Sequence, residues 1–72
     1  MNNGIVAKRL RQLRKSSHLT RATLAEHLGV SEQTIFSYEN SRREPTGNIL
    51  AKLEHFFGVS GPYIMGMTDD PA

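Results

Sequence analysis

The sequence predicts an all-α fold, five short helices closed on one core. Three observations carry the prediction: apolar residues recur at helical spacing, a Ser or Thr stands just ahead of four of the apolar runs, and no stretch alternates as a half-buried strand does. At 72 residues the chain has enough apolar side chain for a single small domain and not for two. We place that domain over residues 1–67 and read 68–72 as a polar tail or the start of a linker.

The first helix is read from Asn3 to Ser16, because Val6, Leu10 and Leu13 fall at i, i+4 and i+7 and form one stripe. Lys8, Arg11 and Lys15 leave from the opposite side, and Arg14 lies at the edge of the stripe. Thr20 is suited to cap a second helix that buries Leu24, Ala25 and Leu28. Gly29 ends that helix, since only a residue without Cβ takes up the left-handed turn freely. Ser31 caps a third helix, and Glu32 sits in its first turn, where the helix dipole favours negative charge. In this helix Ile35, Tyr38 and Glu39 share one side; Gln33, Ser37 and Asn40 share the other, flanked by Glu32 and Phe36. "SRREPTG" is a loop, its proline restricting Glu44 to extended geometry. Thr46 caps a fourth helix with Ile49, Leu50, Leu53 and Phe57 inward, and Gly58 stops it. Ser60 opens a last short helix bearing Tyr63, Ile64 and Met65. The expected core is Val6, Leu10, Leu13, Leu19, Leu24, Ala25, Leu28, Val30, Ile35, Leu50, Leu53, Phe57, Val59 and Ile64.

Composition narrows the function classes. There is no cysteine, hence no disulfide and no thiolate metal site; no early apolar run has the form of a signal peptide, and none later reaches membrane-spanning length. The expectation is a soluble, cytoplasmic protein without cofactor. His18, His27 and His55 are scattered, and neither a carboxylate cluster at metal spacing, a phosphate-binding glycine loop nor a nucleophile motif is present, so an enzyme is not expected. Formal net charge is only +2, but Lys8, Arg9, Arg11, Arg14, Lys15 and Arg21 all lie in the first 21 residues with no acidic neighbour, while Asp69 and Asp70 close the chain. Such a basic half suits an anionic partner, although a run of charge can equally be a solvated helix face.

Residues Leu19 to Glu44 form the more specific signal. A helix, a glycine turn too short for a relaxed connection and a second helix with a polar outer face make a helix-turn-helix, whose second helix fits the major groove of DNA. Gln33 can bond adenine bidentately, Glu32 can accept from cytosine, Ser37 is permissive, and Phe36 can pack on a thymine methyl. Phosphate contacts are assigned to Thr20, Arg21, Asn40, Arg42 and Arg43; Arg21 lies where its charge and the free amides of the second helix converge.

These residues resemble the Cro/CI-type helix-turn-helix domains of phage repressors and xenobiotic-response-element-type regulators. The resemblance runs from Val6 to Gly66: "LTRATLAEHLGVSEQTIFSYENSRREP" is similar to the family core, with Ala25, Gly29 and Ile35 at its diagnostic spacings, and "FFGVSGPYIMG" is similar to its usual ending. It implies a compact five-helix lambda-repressor-like DNA-binding domain, a transcriptional repressor reading a palindromic operator as a homodimer, and an ion pair between Arg14 and Glu39. The pair is better understood as fixing the third helix against the first than as a net source of stability. His18 and Ser41 stand where the family often has glycine, and Arg21 where a glutamine usually touches phosphate. The apolar residues Phe56, Tyr63, Met65 and Met67 are expected to supply a dimer contact or a satellite core, and a C-terminal effector domain is expected if the chain continues. A second reading stays open, a protein-interaction module of the same fold, antitoxin-like or coactivator-like.

Overall fold

In a computed structural model, residues 4–72 are described. The elements run in the order α1 (Ile5–Ser16), α2 (Arg21–Leu28), α3 (Glu32–Glu39), α4 (Gly47–Phe57) and α5 (Gly61–Ile64), with no strand among the described residues. The expected helical start at Asn3 lies outside them. Four helices begin as the sequence dictates: the side-chain oxygens of Thr20, Ser31, Thr46 and Ser60 accept from the backbone N–H three residues on, at Thr23, Thr34, Ile49 and Tyr63. Each such bond satisfies a donor that the helix itself leaves unpaired, and losing one costs about 1 kcal/mol. Glu54 adds a second acceptor at α5, its Oε2 lying 2.5 Å from the Gly61 amide.

α3 packs against α2 and α1, α5 against α1 and α4, and α4 against α2, within extents of 28 × 23 × 22 Å. The core holds Val6, Leu10, Leu24, Ala25, Leu28, Ile35, Leu53 and Ile64, and Leu13, Leu19, Val30, Leu50, Phe57 and Val59 pack on it half-buried. Two hydrophobic residues of the buried core fall outside the expected list. Ala7 lies beside the apolar stripe of α1, and Tyr38, 2% exposed, brings its ring into the centre from α3.

Three findings revise what the sequence suggests. Lys8 and Lys15 are exposed, but Arg11 is half-buried and its Nη2 donates to the Glu39 carbonyl at 2.6 Å. The long stem lets its charge fold back onto the carbonyl end of α3, where the helix dipole is negative. Arg9 gathers the C-terminal segment: its guanidinium donates to the carbonyls of Tyr63 (2.5 Å) and Thr68 (2.6 Å) and to Asp69 Oδ1 (2.6 Å), and lies 4.2 Å from the centre of the Tyr63 ring. The Ser60 amide donates to the Pro71 carbonyl at 2.8 Å, so residues 68–72 lie along the helices. Finally, the four apolar residues near the C-terminus have separate surroundings. Phe56 lies against His27 of α2 with the rings tilted by 37°, Tyr63 lies under Arg9 of α1, Met65 is half-buried, and Met67 is 79% exposed.

Candidate nucleic-acid interface

α2 and α3 are joined only by Gly29, Val30 and Ser31. Gly29 has φ +72°, the amides of Gly29 and Val30 donate back to Glu26 and Ala25, and Lys52 Nζ donates to the Leu28 carbonyl at 3.2 Å. The end of α2 is thus tied to both its own last turn and α4, and Ser31 starts the new helix at once. The corner fixes the direction in which α3 leaves.

A second constraint sets the rotation of α3 about its axis. Glu39 is 0% exposed, and its carboxylate accepts from Arg14 Nε (2.5 Å), Arg14 Nη2 (3.0 Å) and Arg21 Nε (3.1 Å). Arg14 is itself buried and spends its remaining amino group on the Leu19 carbonyl at 2.8 Å. No buried side-chain polar atom among the described residues lacks a partner. A desolvated carboxylate held this way admits little rotation, because turning α3 would leave charge without partner in a medium that solvates it poorly.

With Glu39, Tyr38 and Ile35 inward, the opposite face of α3 is outward. Glu32 and Gln33 are exposed in the first turn and make no side-chain hydrogen bond among the described residues. Phe36 and Ser37 are half-buried beside them. Arg21, Glu32, Gln33 and Phe36 together line an open depression, so the start of α2 and the outer face of α3 form one surface.

The remaining candidates surround that surface. Thr20 is exposed, and its Oγ1 both caps α2 and lies 2.9 Å from Thr23 Oγ1. Asn40 is exposed and turns its Nδ2 back to the Phe36 carbonyl at 2.8 Å. The amides of Arg42 and Arg43 donate to the Ser37 carbonyl at 2.9 and 3.3 Å, which winds the chain tightly off α3 while both side chains remain exposed. Their guanidinium carbons lie 5.8 Å from the Phe36 ring centre and 5.9 Å from that of Tyr38. Ser41 takes φ +60° to make this bend, and His18 takes φ +58° after α1. Sequence reasoning missed Arg11 and Lys52, both of which secure helix ends behind the surface. An intrahelical pattern gives no signal for either.

The family model described as Helix-turn-helix matches residues 10–64. The chain belongs to the Cro/CI-type helix-turn-helix family. It is 42% identical over 64 residues to the HTH-type transcriptional regulator YobD of Bacillus subtilis (strain 168), covering 89% of this chain and 57% of that protein. It is 31% identical over 61 residues to the regulator ImmR of the same organism (85% and 48% covered) and 37% identical over 62 residues to the regulator MJ0272 of Methanocaldococcus jannaschii (86% and 94% covered). The chain therefore spans about half the length of the two Bacillus relatives. Among solved structures it is similar to the P22 c2 repressor in complex with a synthetic operator, with a TM-score of 0.78 and 32% identity over 82% of this chain and 89% of that one. The solution structure of the P22 c2 DNA-binding domain gives a TM-score of 0.77 at 32% identity, covering 83% of this chain and 79% of that one. The all-α, five-helix fold read from the sequence is that of this repressor domain.

Proposed function

We propose that this chain is a sequence-specific DNA-binding domain of a transcriptional regulator, acting as a repressor on a palindromic operator as a cytoplasmic homodimer. One observation carries the reading. The outward face of α3 has polar side chains with no internal partner, while its inward face is locked by a fully buried Glu39. A helix held so firmly and left so hydrophilic outside is suited to a groove about 12 Å wide. The fold it shares with a repressor solved on its operator supports the same reading.

In this proposal Gln33 bonds adenine, Glu32 accepts from cytosine, Ser37 takes either partner, and Phe36 covers a thymine methyl. Arg42 and Arg43 meet the backbone beyond α3, Arg21 and Thr20 meet it at the start of α2, and Asn40 offers the amide hydrogen not used on Phe36. Half-sites lie about 34 Å apart, one helical turn. In a longer protein carrying this domain, a C-terminal effector domain senses the signal. Among the described residues no helix is long and apolar enough to cross a membrane, and no metal-binding cluster forms.

Selection of duplexes from a random pool tests the reading, followed by titration of the recovered duplex at several salt concentrations. A palindrome should emerge, and Arg42→Ala with Arg43→Ala should reduce the salt slope by about 2, one for each lost phosphate contact. Recovery of no motif, with binding indifferent to salt, refutes it in favour of a protein-interaction module.

A further inference from the structure

Phe36 is the one apolar side chain among the residues assigned to base reading, and this makes its position a problem of its own. A hydrogen-bonding side chain is drawn into register by the directionality of its bonds. A ring resting on a methyl group has no such guidance, and a gap of about 0.5–1 Å forfeits a quarter to a half of the contact. Something in the protein must therefore hold the ring in place.

Two guanidinium groups lie near it. The Arg42 carbon is 5.8 Å from the ring centre, but that side chain is exposed and makes no side-chain hydrogen bond among the described residues. The Arg21 carbon is 5.4 Å away, and Arg21 differs because its Nε is fixed to Glu39 Oε1 at 3.1 Å. Glu39 is in turn immobilised by Arg14. A chain of contacts thus runs from α1 through Arg14, Glu39 and Arg21 to the face of Phe36, joining the interior to the base-reading surface. Arg21 is 36% exposed along its side chain, and its two terminal amino groups have no acceptor among the described residues.

We propose that Arg21 is a positioning residue for sequence selectivity: it seats the Phe36 ring through a guanidinium anchored on buried Glu39, and so determines which base pair Phe36 accepts without touching a base. The inference rests on the DNA-binding reading above. It gives Arg21 a role that a phosphate contact alone does not require, and predicts that a cationic side chain of another shape cannot replace it. Lysine retains the charge but lacks the planar group that bonds a carboxylate through one edge while facing a ring.

The test compares the parent chain, Arg21→Lys, Phe36→Leu and the double variant by duplex selection, with the ring resonances of Phe36 recorded in each DNA-free protein that retains it. Arg21→Lys should shift those resonances and lower discrimination about tenfold at the base pair that Phe36→Leu also relaxes. In the Phe36→Leu background it should cost no further discrimination there. An unchanged motif with uniformly weaker binding overturns the inference and leaves the DNA-binding reading standing. So does an equal loss of discrimination in both backgrounds, or an unshifted Phe36 ring. A parent chain that selects no duplex overturns both readings.

Discussion

Two of the arginines of α1, Arg9 and Arg14, hold a distant part of the chain through a carboxylate, and the two carboxylates stand in opposite dielectric settings. Arg14 meets Glu39 with both side chains almost wholly removed from water, the carboxylate at 0% exposure. Arg9 meets Asp69, whose side chain is 100% exposed, and draws more from the carbonyls of Tyr63 and Thr68 and from the Tyr63 ring. The distances are almost the same, 2.5 and 2.6 Å, so length does not separate the two pairs. Burial does. Around Arg14 neither charge has solvent as an alternative partner, and the pair dictates where α3 sits; around Arg9 the carboxylate can return to water at little cost.

Breaking the buried side should give the largest effect. Glu39→Ala strands Arg14, weakens the hold on Arg21, and should cost about 3–5 kcal/mol in urea denaturation. The loss should persist at high salt, since a desolvated pair is poorly screened. Arg9→Ala should cost less, about 1.5–3 kcal/mol, because two half-buried carbonyls lose a charged donor. Asp69→Asn should leave the denaturation midpoint unchanged. If the Asp69 and Glu39 variants proved equally damaging, the contrast between the two anchors would fail. A smaller effect than that of Arg9→Ala, and of opposite sign, is expected at the segment leaving α3 behind Glu39. Ser41 holds φ +60° there, and Ser41→Gly should raise stability by about 1 kcal/mol, read as a higher midpoint with an unchanged slope.

The same contrast explains what the sequence could and could not reveal. The capping residues Thr20, Ser31, Thr46 and Ser60 act over three positions, so their chemistry is local and readable from the chain. The inward stripes followed from spacing for the same reason. In sequence Arg9, Arg11 and Arg21 have the pattern of solvated or phosphate-facing groups, yet each spans between segments far apart along the chain. Periodicity states from which face of a helix a Cβ departs. A side chain with four rotatable bonds is then free to choose among partners that only the folded chain assembles. Tyr38 shows a milder form of this: its side of α3 was clear, but a ring with a hydroxyl gives no sign of how deep it lies. The outward side of α3 was legible because it follows from the inward one.

Glu32 and Gln33 are exposed and make no side-chain hydrogen bond or ion pair among the described residues, while Ile35, Tyr38 and Glu39 behind them are buried. Exchange at those two positions is therefore free of most folding constraints. If α3 reads bases as proposed, lineages sharing this architecture can drift to new target sites by single substitutions there, and an engineer can reprogram the domain while leaving its interior alone.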